Sequence, residues 1–446
     1  MAKRIYLCLA HMSETGEEQK YIKEAFDTNW VVPLGPNVNG FESDLKAFVT
    51  QKDIFEGHTD STDITDLTSK EVVALSAGTA AVHLALMACG VGIGDEVIVQ
   101  SFTFCASSHP ITYLGAKPVF VDSEEETWNM DPKLLEKAIL DRIAKTGKKP
   151  KAIMLVYLYG MPAKIDEIMA IAQRYEIPLI EDAAEGLGSR YRGQVVGTFG
   201  EYGVLSFNGN KMITTSGGGA LICPNEEAKE RIMWWATQAR EAYPYYQHEA
   251  IGYNYRMSNI CAGIGRGQMT VLEEHIGHHK HVQKMYEDLL KDVKGIKVHS
   301  QPKTPPLTPP LEGAGRVPVY DSNYWLCTIT IDPEVKVKGE ELAYQQAVKG
   351  VVGGAAGVVH GGGGIHTDCE PNRNVEALRL ALDKEGVESR PLWKPMHKQP
   401  VYRDAPAYVN GVSEGLFKRG LCLPSGPMVT DEDIKLIVKT IKANIL

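Results

Sequence analysis

Between residues 70 and 220 the sequence alternates short apolar segments with segments of helical spacing, and this alternation restricts the fold more than any other feature. "EVIVQ" (96–100), "KPVFVD" (117–122), "AIMLVYL" (152–158) and "IPLIED" (177–182) have the length and β-branched content of strands. "AAVHLALMACG" (80–90) and "KIDEIMAIAQRY" (164–175) repeat their apolar residues at helical intervals. The pattern predicts an α/β fold, a mainly parallel sheet with helices on both faces. Ligands on such sheets bind beyond the carboxyl ends of the strands. The strand tips therefore carry the functional question.

Further along, a helical stretch over about 259–293 leads into the proline-rich "QPKTPPLTPPLEGAGRVP" (301–318). Prolines at that density mark an exposed, extended connection inside or before a smaller C-terminal domain. The expected division is a large domain over 1–285, including an N-terminal arm, and a small α+β domain over 286–446. "DIFEGHTDSTDITDLTSK" (53–70) reads as a polar surface insertion. "GVVGGAAGVVHGGGGIH" (350–366) is too rich in glycine for a helix. Neither insertion is assigned a function.

Composition removes several classes of function. With 446 residues and a net charge of −9, the chain lacks the basic footprint that nucleic acid or an anionic membrane requires. A small anionic ligand is still allowed, since backbone amides bind phosphate on acidic proteins. The start, "MAKRIYLCLAHMSETGEEQ", has an apolar run too short and interrupted for a signal peptide, and no stretch approaches a membrane span. The eight cysteines are scattered singly without a C-x-x-C pair. They read as buried, inert thiols in a reducing cytoplasm, not as disulfides or a zinc ribbon.

At the strand tips, "SFNGNKMITTSGGG" (206–219) sets Lys211 between one apolar strand end and three glycines. A solvated loop lysine and a Schiff-base lysine both fit that position, and only partners elsewhere distinguish them. Gly78 and Thr79 in "SAGTAAVHLAL" stand at the start of a helix, where they either cap it or hold an anion. "LIEDAAEGLGS" ends a strand in Glu181–Asp182, either a cap for a following helix or a carboxylate facing a protonated ring nitrogen. Glu185 follows within reach of the same ligand or of solvent. Phe104 lies just past a strand end, where it packs into the core or covers a flat ring. Ser206, five residues before the lysine, has a hydroxyl to offer a phosphate. Each is weak alone; the ordered set describes a pyridoxal-phosphate site.

The set also carries a resemblance. "GTAAVHLAL", "LYGMPAKIDEI", "IEDAAEGLGSRYRG", "GTFGEYGVLSFNGNKMITTSGGGAL" and "GYNYRMSN" resemble the DegT-type sugar-nucleotide aminotransferases, fold-type-I pyridoxal-phosphate enzymes. The resemblance implies that Lys211 bonds the cofactor, Asp182 partners its ring nitrogen and Phe104 stacks on the ring. Gly78, Thr79 and Ser206 would hold the phosphate, with Glu185 near the phenolic oxygen in place of a glutamine common across the family. Asn254 of "GYNYR" would reach the phosphate of a neighbouring subunit, implying a homodimer with shared active sites. "WVVPLGPNVNGFE" (30–42), "NGNK" (208–211) and "RPLWKPMHKQP" (390–400) are similar to aminotransferases that take UDP-4-keto-6-deoxy-N-acetylglucosamine, with L-glutamate as the implied donor. Arg390, Trp393, Lys394 and His397 would then line the sugar-nucleotide pocket. The N-terminal "CLAH" departs from the Ser-Pro often found there.

Rival readings find less support. A related dehydratase class carries histidine at the lysine position. "GIGRG" (263–267) lacks the strand–turn–helix setting of a dinucleotide site. His275, His278 and His279 share a helix face but lack an acid or cysteine partner, so a solvated face is expected there and no metal. Two alternatives stay open: an acceptor ketosugar linked to GDP or dTDP, and a non-catalytic cofactor-binding regulator, which would show no turnover with glutamate.

Overall fold

The computed structural model describes residues 4–51, 67–303, 318–344 and 369–446. The 350–366 insertion and most of the 53–70 and 301–318 segments lie outside the described residues. The strands, in chain order, are β1 (Glu71–Leu75), β2 (Glu96–Gln100), β3 (Lys117–Val121), β4 (Ala152–Val156), β5 (Leu179–Asp182), β6 (Arg190–Tyr191), β7 (Gln194–Val195), β8 (Tyr202–Ser206), β9 (Gly219–Cys223), β10 (Ile296–Val298), β11 (Tyr320–Asp321), β12 (Cys327–Ile331), β13 (Arg390–Pro391), β14 (Ala407–Tyr408) and β15 (Gly420–Leu423). The helices are α1 (Glu17–Asp27), α2 (Pro36–Val49), α3 (Gly78–Ala88), α4 (His109–Tyr113), α5 (Pro132–Thr146), α6 (Ile165–Tyr175), α7 (Glu226–Ala236), α8 (Asn259–Met269), α9 (Leu272–Leu290), α10 (Arg373–Lys384), α11 (Val412–Arg419) and α12 (Asp431–Asn444).

Eight strands form the main sheet in the order β1-β9-β8-β5-β4-β2-β3-β14. From β8 to β14 every neighbouring pair is parallel, as the alternating pattern predicts. Apolar residues cover both of its faces. The exception is β9, antiparallel to both β1 and β8. Antiparallel neighbours need no helical crossover, so the twelve residues 207–218 suffice to return the chain beside β8. Lys211 stands in that return. A second sheet, β10-β12-β15-β13, is antiparallel and packs against α9, α10 and α12 around Ile329, Leu421, Tyr286 and Ile437. The two halves exchange chain. Ile5 pairs with Val387 inside the second core, and β14 joins the edge of the main sheet.

Two expectations need correction. The helical stretch near 259–293 is two helices, broken at Thr270–Val271, where the Thr270 amide and hydroxyl both donate to the Gly267 carbonyl. The α9 face that carries His275, His278 and His279 is not a solvated one, and His278 on it is half-buried. His275 and His279 are buried, with Nδ1 atoms 3.3 Å from the Met212 carbonyl and 3.1 Å from the Tyr324 carbonyl. Burial holds His279 down at about 3, so this neutral ring fastens α9 to the segments flanking it. "GIGRG" lies wholly within α8, where its glycines admit close helix packing. A Cβ at Gly267 would sit 2.5 Å from the Glu18 amide nitrogen on α1, and one at Gly265 would sit 2.7 Å from the Phe41 ring on α2. All eight cysteines are free thiols; five are buried and three half-buried.

Candidate active site

The parallel strands β1, β2, β4, β5 and β8 end at one edge of the sheet. The residues at and just past those ends face a single cavity of about 510 Å³. It is lined by Ser76–Thr79 after β1, Thr103, Phe104 and Ser107 after β2, Val156 of β4, Asp182 and Glu185 from β5 onward, and Ser206 and Lys211 from β8 onward. Topology thus brings together residues more than a hundred positions apart.

Gly78 is the first residue of α3, and Ala77 before it offers no side-chain cap. The amides of the first turn are therefore left to another acceptor, at the end of the helix where the dipole is positive. A Cβ at Gly78 would lie 3.0 Å from Ser206 Cβ and 3.2 Å from its Oγ, so the helix starts flush against the end of β8. Glycine at 78 permits that approach and puts the Ser206 hydroxyl beside the open turn. Thr79, next in the turn, also lines the cavity and is not the cap residue.

No helix follows β5, which removes the capping role for its acidic end. Successive strand residues face opposite ways, and the two carboxylates separate accordingly. Glu181 is buried, accepting from the Tyr157 hydroxyl and from the amides of Gly197 at 2.8 Å and Gly200 at 2.5 Å. Asp182 lines the cavity while only 5% exposed. Its Oδ2 accepts from Ser107 Oγ at 2.6 Å and its Oδ1 from the Ala184 amide at 3.2 Å. Burial pushes its carboxyl above the usual range, against the pull of those two donors and of Lys211. A cation placed against it would restore the carboxylate.

Lys211 reaches back into the cavity. Its Nζ lies 3.5 Å from Glu185 Oε1 and 4.2 Å from the centre of the Trp325 ring. The Trp325 indole donates to the Asn210 carbonyl at 2.6 Å, which fixes the ring under the lysine. Glu185 is buried as well, and its Oε2 accepts from the Tyr159 amide at 2.7 Å. Burial raises its carboxyl, and Lys211 lowers it. Phe104, half-exposed, tilts against Trp393 with centroids 5.3 Å apart.

The opposite wall comes from the second sheet and the N-terminal arm. Arg390 donates to Glu388 Oε1 from Nε at 3.1 Å and from Nη2 at 2.8 Å, while Glu388 Oε2 accepts from the Leu7 amide at 3.1 Å. Arg390 and Trp393 line the cavity; Lys394 and His397 are not among the residues lining it. His397 Nδ1 is instead 2.7 Å from Ser101 Oγ, and burial lowers its pKa. Asn254 is exposed, pairs with Thr237 and lies outside this chain's cavity lining.

Ser107, Trp325, Tyr159, Glu388 and the arm residues Tyr6–Leu9 do not stand out in the sequence as site residues. Ser107 follows Phe104 by three and Glu388 precedes Arg390 by two, so proximity to those residues is a usable signal. Trp325 has none.

The profile of the DegT/DnrJ/EryC1/StrS aminotransferase family matches residues 64–351 and 364–442. EpsN of Bacillus subtilis (strain 168), to which a pyridoxal phosphate-dependent aminotransferase activity is ascribed, is 41% identical over 99% of this chain and 96% of its own. GDP-perosamine synthase of Escherichia coli O157:H7 is 31% identical over 98% of both chains. The crystal structure of a DegT DnrJ EryC1 StrS aminotransferase from Brucella abortus superposes with a TM-score of 0.75 at 26% identity, covering 96% of this chain and 95% of that one. A chain that matches this family along nearly its whole length, and sets a lysine beside buried carboxylates at the strand ends, belongs to the DegT/DnrJ/EryC1/StrS aminotransferases and is a pyridoxal-phosphate-dependent sugar aminotransferase.

Proposed function

We propose that this enzyme moves the amino group of L-glutamate to C4 of a nucleotide-linked 4-keto-6-deoxy sugar. Our reading of the acceptor is UDP-4-keto-6-deoxy-N-acetylglucosamine, which would give UDP-4-amino-4,6-dideoxy-N-acetylglucosamine. The observation that carries the reaction type is Lys211 Nζ at 3.5 Å from buried Glu185, in the cavity that Asp182 and the open turn of α3 also line.

The donor set fits pyridoxal phosphate. The first turn of α3, with Ser206 drawn against it by Gly78, is an anion cradle. Asp182 is a buried carboxylate lacking a full counter-charge, and Phe104 is a half-exposed ring at the wall. When bound, the cofactor supplies an aldehyde that accepts and returns amino groups and a ring that absorbs electrons.

The remaining work belongs to the chain. Gly78, Thr79 and Ser206 would hold the phosphate. Asp182 would keep the facing ring nitrogen protonated, with Ser107 and the Ala184 amide fixing its two oxygens. Lys211 would hold the cofactor by its amine and, once freed, carry a proton on Nζ to and from the reacting carbon. Glu185, tied at its other oxygen to the Tyr159 amide, keeps that amine aimed. Lys394 and His397 do not line the cavity, and His397 is held by Ser101, so a direct contact with the sugar nucleotide is proposed for neither. Asn254, outside its own chain's cavity, would complete the phosphate site of a second copy in a homodimer. No described helix is long and apolar enough to cross a membrane, and we read the enzyme as cytoplasmic.

Similarity to GDP-perosamine synthases, at 30–31% identity in three organisms, favours a second reading in which the acceptor is GDP-linked. Mass-spectrometric turnover against UDP-, GDP- and dTDP-linked ketosugars with glutamate separates the two. A strong GDP preference ends the UDP reading, and no turnover with any of them ends both.

A further inference from the structure

Both substrates must use one cavity in turn, yet they differ in charge near the reacting carbon. The donor carries a carboxylate beside its amine; the acceptor presents an uncharged sugar ring there. Among the described residues lining the cavity the cations are Lys211 and Arg390, against the carboxylates of Asp182, Glu185 and Glu388. Lys211 has the cofactor to hold, and the open turn of α3 has the phosphate. Arg390 is left.

Its setting is unusual for a structural ion pair. Both of its bonds go to the same oxygen of Glu388, from Nε and Nη2, so Nη1 takes no part in the pair. A guanidinium with spare donors can engage a second carboxylate. The Arg390 side chain is 37% exposed and that of Glu388 15%, so the arginine is the member of the pair that is open to the cavity. Glu388 stays anchored when Arg390 engages another carboxylate, because its other oxygen holds the Leu7 amide and Ser425 holds the Leu7 carbonyl.

We propose that Arg390 is the subsite for a donor carboxylate, and that Glu388 is a resident stand-in which occupies Arg390 when the uncharged sugar is bound. This rests on the aminotransferase reading above and adds which residue admits a dicarboxylate. The pair lets one wall serve a charged and an uncharged substrate without leaving a bare cation beside the sugar.

Glutarate, a dicarboxylate without an amine to transfer, tests this by titration calorimetry on the cofactor-loaded enzyme. Arg390→Gln should weaken glutarate about ten- to a hundredfold, as expected for losing a bond to a charged group. Glu388→Gln removes the competing charge and should tighten glutarate several-fold. A merely structural pair would not respond with opposite signs. Stopped-flow bleaching of the cofactor band by glutamate should show the same two directions in apparent affinity. Wild-type glutarate affinity in Arg390→Gln, or weaker binding in Glu388→Gln, overturns the proposal. So does a wild-type enzyme that does not bind glutarate. Glutarate bound through Arg390 with no bleaching by glutamate would instead sink the choice of donor and leave the carboxylate subsite standing.

Discussion

The two walls of the cavity hold their charges differently. On the main-sheet side Asp182 and Glu185 are buried, and each is fixed by backbone amides and neighbours from the same strand ends. On the other side Arg390 is accessible and Glu388 half-buried, fixed mainly by each other and by the N-terminal arm. A buried carboxylate cannot change partners cheaply; an accessible guanidinium can. The first wall therefore suits chemistry that is the same in every cycle. The second suits substrates that alternate.

The first wall should fail absolutely. Lys211→Ala should abolish both the cofactor's visible band and transamination while the fold persists, read by absorbance and circular dichroism. Lys211→Arg should fail equally, since a guanidinium does not deprotonate to a nucleophile. Appreciable activity in either variant would remove Lys211 from the reaction.

Asp182→Asn should retain the cofactor but turn over roughly a hundredfold slower or worse, through loss of the charge-assisted partner of the ring nitrogen. The same substitution should act oppositely on stability without cofactor. Burial raises the folded-state pKa of Asp182, so its contribution is fully present below the unfolded carboxyl value and is lost as pH rises through the folded one. Cofactor-free wild type should accordingly lose stability on going from mildly acidic to neutral pH, by about 1.4 kcal/mol for each tenfold difference in proton affinity between the folded and unfolded carboxyl. Asp182→Asn should reduce that slope in thermal melts, the remainder belonging to carboxyls such as Glu185 that burial also raises. An unchanged slope would place its source elsewhere.

Asn254 asks whether the first wall is complete within one chain. Asn254→Ala should weaken cofactor binding about ten- to a hundredfold if the residue serves a neighbouring copy. Mixing Asn254→Ala with Lys211→Ala under subunit exchange should then regenerate one intact site per heterodimer. Verified exchange without recovered activity would refute the shared site.

The second wall should yield by degrees. Trp393→Ala should raise KM for the sugar nucleotide about tenfold through lost ring contact, with cofactor affinity unchanged. Equal loss of both would mean that Trp393 belongs with the first wall.

What the sequence determined by itself is the parallel core of the main sheet, β2 to β5 and β8, and most of the first wall. The β2 segment was legible to the residue, because a run such as "EVIVQ" buried on both faces leaves little freedom in its bounds. Gly78, Thr79, Asp182, Ser206 and Lys211 were legible because each sits at a strand end or a helix start, where local pattern fixes position. Which acid of Glu181–Asp182 faces the cavity followed from strand alternation only once the sheet was assembled. Tertiary structure alone decided the rest. The antiparallel β9 depends on pairing with β1 as well as β8, and the burial of His275 and His279 depends on the segments flanking α9. Trp325 under Lys211, and Glu388 against the Leu7 amide, join residues separated by over a hundred positions, and no local periodicity records such contacts. Short-range rules specify the strand ends, whereas the opposing wall is set by how the second sheet and the arm pack against them.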